Sequence, residues 1–199
     1  MSAELEQLLK KRFITIYSIW GAMLLSIFVY AGVCFKAVEV QSDIPASNLM
    51  DCFSNPMTQV LVLVSVVIGF LHFFIPQFIL KAQLTATRRQ IDLLSHMEVF
   101  KGLRGNAVWS EQDLQMAKSL SQEELFCLAM LPKWTICFIL SLALAESIVV
   151  FGLVLSFVFH SFAIVLPFAS AGVFLFLLRF PRPEKFFTDI NSWLKLPQP

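Results

Sequence analysis

Glu146 and His72 are the two side chains whose type and setting could carry chemistry in this sequence. Glu146 is the only charged residue in the run from Trp134 to Phe159. A carboxylate at bilayer depth costs roughly 2.5 to 3.5 kcal/mol on insertion scales, so it calls for a partner, a cavity or a proton. His72 sits a little past the centre of a second uncharged run, Thr58 to Leu80, near the depth expected for Glu146. An imidazole there serves either as relay or counter-group to the carboxyl, or as a core side chain bonded to a hydroxyl or carbonyl. Tyr30 and Ser65 lie in uncharged runs as well, and the hydroxyl of either can donate to a carboxylate.

The elements that must position these groups follow from composition. Of the 199 residues, 57% are hydrophobic and 15% charged, against about a quarter charged in soluble domains. Such a chain belongs in a lipid bilayer. Phe contributes 21 residues, a number suited to lipid-facing and helix-packing surfaces. Four apolar runs, about 13–35, 58–80, 134–159 and 161–179, are long enough for a hydrocarbon core of about 30 Å. Helix is the required conformation, because an isolated strand would leave its amides unpaired in lipid. The third and fourth runs nearly merge, and a single helix of their joint length would overshoot the membrane about twofold. They are therefore divided near His160 and Ser161. The expected fold is all-α: a polytopic membrane protein with four transmembrane helices and a helical cytoplasmic loop over 81–132. Residues 1–199 form one membrane domain, ending in a short tail at 181–199.

Basic residues set the orientation. Of the fifteen Lys and Arg residues only Lys36 falls on the far side of the spans, so both termini and the long loop are expected in the cytoplasm. In a bacterium this places the protein in the inner membrane. The first run is too long for the apolar core of a signal peptide and reads as an anchor. Within the loop, Ile91, Leu93, Leu94, Met97 and Phe100 recur at helical spacing. Ser121 with Glu124 forms a capping box, so two or three short amphipathic helices are expected there. In the tail, Phe186, Phe187, Ile190, Trp193 and Leu194 predict a short helix lying at the membrane interface.

Other chemistry finds little support. Cys34 and Cys52 fall on the outer side and could bridge or remain buried thiols, while Cys127 and Cys137 fall on the inner side. His72, His96 and His160 have no metal-ligand spacing, and no phosphate loop, zinc signature or nucleophile elbow is present. Neither a cofactor nor enzymatic activity is expected. No basic stripe is interleaved with exposed aromatics, so nucleic acid is not an expected partner. The partners expected are the lipid bilayer and either further copies of the chain or another membrane protein.

On the third helix, Ser141, Ala145, Gly152 and Ser156 gather on one face at 100° per residue, a small-residue stripe that lets another helix approach closely. Glu146 lies beside that stripe. The run Leu142-Ala143-Leu144-Ala145-Glu146-Ser147-Ile148-Val149-Val150-Phe151-Gly152-Leu153-Val154 resembles the carboxylate-bearing helix of rotary ATPase c subunits, the proteolipids. There a small residue, the ion-binding carboxylate, another small residue, an aromatic and a Gly-Leu step follow in this order. The resemblance implies that Glu146 binds a proton or sodium. It is confined to this helix: the second span offers only Ser65 and Gly69 where a proteolipid repeats glycines, and a fourth span follows. The whole chain reads as an integral membrane scaffold or accessory protein with a structural carboxylate at Glu146. The alternative is a proton- or sodium-binding component of an ion-translocating complex, with Glu146 as the reversible carboxylate.

Overall fold

The computed structural model describes residues 3–40, 54–93 and 119–194, and the described residues are helical, with no strand among them. Helices α1 (Ala3–Val40), α2 (Pro56–Leu93) and α3 (Gln122–Val158) are each long and apolar enough to cross a membrane. A shorter apolar segment follows, made of a 3-10 turn (Phe162–Ile164) and α4 (Val165–Leu178), and α5 (Pro183–Leu194) closes the described chain.

Two expectations about element boundaries are corrected. At 1.5 Å per residue the 38-residue α1 and α2 are about 57 Å long, nearly twice a hydrocarbon core. The runs 13–35 and 58–80 are thus the apolar middles of longer helices. Nor do separate short helices fill both ends of the 81–132 segment. Residues 81–93 continue α2, and 122–132 are the first turns of α3. The capping box does form: Glu124 N–H donates to Ser121 Oγ at 3.3 Å, and Ser121 N–H donates to Glu124 Oε2 at 3.1 Å. It starts a helix that runs unbroken into the third apolar stretch, because no helix breaker but Pro132 intervenes and membrane helices tolerate proline. The spacing argument for Leu94, Met97 and Phe100 lies outside the described residues, as does Cys52. Cys34 is a buried free thiol.

The division at His160 is observed. His160 adopts a left-handed φ of 49°, and Ser161 N–H donates to Ser156 O at 3.1 Å, which closes α3 with a Schellman turn. Pro167 falls in the first turn of α4, where its missing N–H removes no helical bond.

The chain divides into two compact units: 1–18, 77–137 and 181–199 form unit 1, and 19–76 with 138–180 form unit 2. All fifteen basic residues except Lys36 and Arg179 fall within the sequence ranges of unit 1. Its core takes one face of the start of α1, where Leu5, Leu8 and Leu9 are buried while Glu4, Glu6 and Lys10 are exposed. An aromatic cluster joins three helices there. Phe13 lies 5.9 Å from Trp134 and 6.1 Å from Phe186, and Trp134 lies 5.5 Å from Phe186, in tilted and edge-on arrangements. The tail helix expected from the sequence forms as α5, and its residues Phe186 and Ile190 are fully buried within the protein.

Unit 2 holds the uncharged stretches, and its helices approach closely. A Cβ on Gly152 of α3 would overlap Phe168 of α4, and one on Gly172 of α4 would overlap Val149 of α3. The Trp20 indole N–H of α1 donates to Phe176 O in the last turn of α4 at 3.1 Å, satisfying a carbonyl near the helix end. Pro76 brings no N–H to the carbonyl of His72, four residues earlier in α2. Arg179 Nη2 supplies that carbonyl with a donor at 3.0 Å, and the guanidinium lies 5.7 Å from the Phe73 ring centre.

Three outcomes are expected of purified protein in detergent. Phe186→Ala opens the aromatic cluster and costs about 3–5 kcal/mol in denaturant or thermal unfolding. Ala in place of Gly152 or Gly172 lowers stability by about 1–3 kcal/mol, because overpacking outweighs the roughly 1 kcal/mol gained in helix propensity. Gly32→Ala, with no neighbour within 4 Å, keeps that gain. Arg179→Leu leaves the His72 carbonyl without its donor and costs about 1–3 kcal/mol. In a double-mutant cycle, Pro76→Ala restores a helical N–H to that carbonyl and cuts the cost of Arg179→Leu.

Candidate functional site

Glu146 is the centre of the polar cluster in unit 2. It lies on α3 one position after Ala145, which is fully buried, and it is itself half-buried. Its Oε1 lies 2.6 Å from Ser26 Oγ and 2.9 Å from Tyr30 Oη. Both hydroxyls come from α1 at a four-residue spacing, which places them one above the other on a single helix face. Ser26 Oγ is also 2.6 Å from the Met23 carbonyl, three residues back on α1. Tyr30 was legible in the sequence as a donor to the carboxylate. Ser26 was not, although its place four residues before Tyr30 is the signal that could have found it.

His72 belongs elsewhere. It is fully buried, and its Nδ1 lies 2.8 Å from the Ser141 carbonyl of α3. A carbonyl only accepts, so the proton sits on Nδ1 and the imidazole donates. Among the described residues its Nε2 has no hydrogen-bond partner. Of the two roles open to His72 in the sequence, the core imidazole is the one observed. Ser65 likewise turns away from the carboxyl and donates to the Leu61 carbonyl of its own helix at 2.8 Å.

The small-residue stripe of α3 is interior: Ser141, Ala145, Gly152 and Ser156 are all buried. Gly152 makes the close approach to Phe168, and Ser141 receives His72. Glu146, turned about 100° from Ala145, meets the hydroxyls of α1. Within the stripe Ser141 meets α2 and Gly152 meets α4, while Glu146 meets α1, so α3 is held on several sides.

Chemically, the cluster can exchange a proton among a carboxyl, a serine and a phenol. Among the described residues no group of three or more His, Cys, Asp or Glu side chains converges to hold a metal ion. Comparison of the chain with known protein families, with curated proteins and with solved structures finds no match.

Proposed function

We propose that this chain is an integral membrane protein of four spans with both termini in the cytoplasm, acting without catalysis as a scaffold or accessory subunit in which Glu146 clasps α1 to α3. Exposed apolar side chains support the membrane setting. On α2 alone, Phe70, Phe74 and Phe78 are 63%, 66% and 75% exposed at four-residue spacing, a surface that water would not tolerate over such a length. The shorter apolar segment, Phe162–Leu178, supplies the fourth span, near the lower limit of about 17 residues.

The clasp geometry carries the structural reading of Glu146. The Ser26 and Tyr30 hydroxyls both donate to Oε1, at 2.6 and 2.9 Å, and Ser26 Oγ also lies 2.6 Å from Met23 O. The carboxyl therefore takes two hydrogen bonds from one face of α1, which offset part of the cost of setting it at bilayer depth. Contact between Oε1 and Ser26 Oγ also leaves no space for sodium between them. His72 Nδ1 and Ser65 Oγ are turned to backbone carbonyls rather than joined to Glu146.

Glutamine keeps a side-chain oxygen that can accept from both hydroxyls, and alanine does not. In the chain reconstituted into vesicles, Glu146→Gln is expected to keep the unfolding midpoint and to leave proton and sodium permeability unchanged. Glu146→Ala is expected to lose about 1–3 kcal/mol through two hydroxyls left without their partner. Wild-type proton flux that Glu146→Gln abolishes would replace this reading with that of an ion-translocating component.

A further inference from the structure

The described residues of unit 2 also form a groove of about 370 Å³ between α2 and α4, with Ile148 of α3 at its back. Its walls include Ser65, Val66 and Gly69 from α2 and Ala171, Phe174 and Leu175 from α4. We infer that this groove is a binding site for one lipid acyl chain, and this rests on the membrane reading proposed above.

The lining chemistry excludes a polar occupant. Ser65 is the only polar side chain in the wall, and its hydroxyl is committed to Leu61 O. Water needs two to four polar partners to stay in a cavity, and this one offers none. The groove is also open space: nothing stands within 4 Å of a Cβ built on Gly69.

Size and continuity select the apolar occupant. The wall runs from Val62 to Gly69 on α2 and from Pro167 to Leu175 on α4, about 11 Å along each helix. That length fits within one leaflet of a core about 30 Å thick. At the rim, Val66 and Phe174 are 51% and 61% exposed, so the groove is continuous with the apolar surface that lipid is taken to cover. A chain in the groove touches α2, α3 and α4 together, where an ordinary boundary lipid touches one helix face. Dispersion contacts on several sides supply the preference, since moving an alkyl chain from lipid to protein gains no hydrophobic free energy.

The experiment reconstitutes the full chain in phosphatidylcholine vesicles containing a trace of phosphatidylcholine with a diazirine at mid-chain, irradiates it, and locates labelled residues by mass spectrometry. Severalfold more label at Val66, Gly69, Ala171 and Phe174 than at Phe70 and Phe74 is expected. Gly69→Leu and Ala171→Phe, each filling the groove from one wall, are expected to remove that excess while the label at Phe74 persists. Equal labelling of groove and exposed phenylalanines overturns the site but leaves the membrane reading intact, and so does a lipid-independent crosslink between two chains through the groove. Absence of label from all of these residues overturns the membrane reading itself.

Discussion

A polar group set into an apolar helical unit is costly unless it finds a hydrogen bond inside the protein, and the bonds between helices in unit 2 follow that constraint. Glu146 meets Ser26 and Tyr30, the His72 imidazole meets Ser141 O, Arg179 meets the carbonyl freed by Pro76, and Trp20 meets Phe176 O. Each of these contacts joins two different helices. In water such bonds would contribute little, because solvent competes for both partners. Without water the alternative is an unsatisfied group, and the pairing of helices becomes specific.

Close packing supplies what these few bonds cannot. Gly152 and Gly172 let α3 and α4 approach until side chains of one lie against the backbone of the other. Unit 1 works differently, with large aromatic side chains filling the space between the start of α1, the start of α3 and α5. The contrast follows composition. Where helices are apolar all round, van der Waals fit and buried polar bonds hold them. Where they carry charged faces, as α1 does at Glu4, Glu6 and Lys10, burial of the opposite face supplies the association.

The carboxyl of Glu146 and the hydroxyls of Ser26 and Tyr30 join α1 to α3, and under the scaffold reading proposed above this clasp holds helices rather than moving ions. These two hydrogen bonds let Glu146 sit within an otherwise uncharged helix at reduced cost.

Composition alone determined the class: long uncharged runs, abundant Phe and few charges require helices with apolar surfaces. The break at His160 was legible too, because a helix of the joint length could not fit a bilayer. Helix ends were not. The start of α1 from Ala3 and the extension of α2 to Leu93 carry charged residues, and hydropathy stops where charge begins although backbone hydrogen bonding continues. Glu146 was legible as a group needing a partner, and Tyr30 as one donor. Ser26 as the second donor, and His72 as a core imidazole on Ser141, were decided only by the rotation and axial offset of one helix against another. Those depend on how side chains of different helices interlock, and periodicity within one segment carries no record of them. The burial of Phe186 and Ile190 against protein rather than lipid has the same cause: an apolar face is written in the sequence, and what covers it is settled by the rest of the fold.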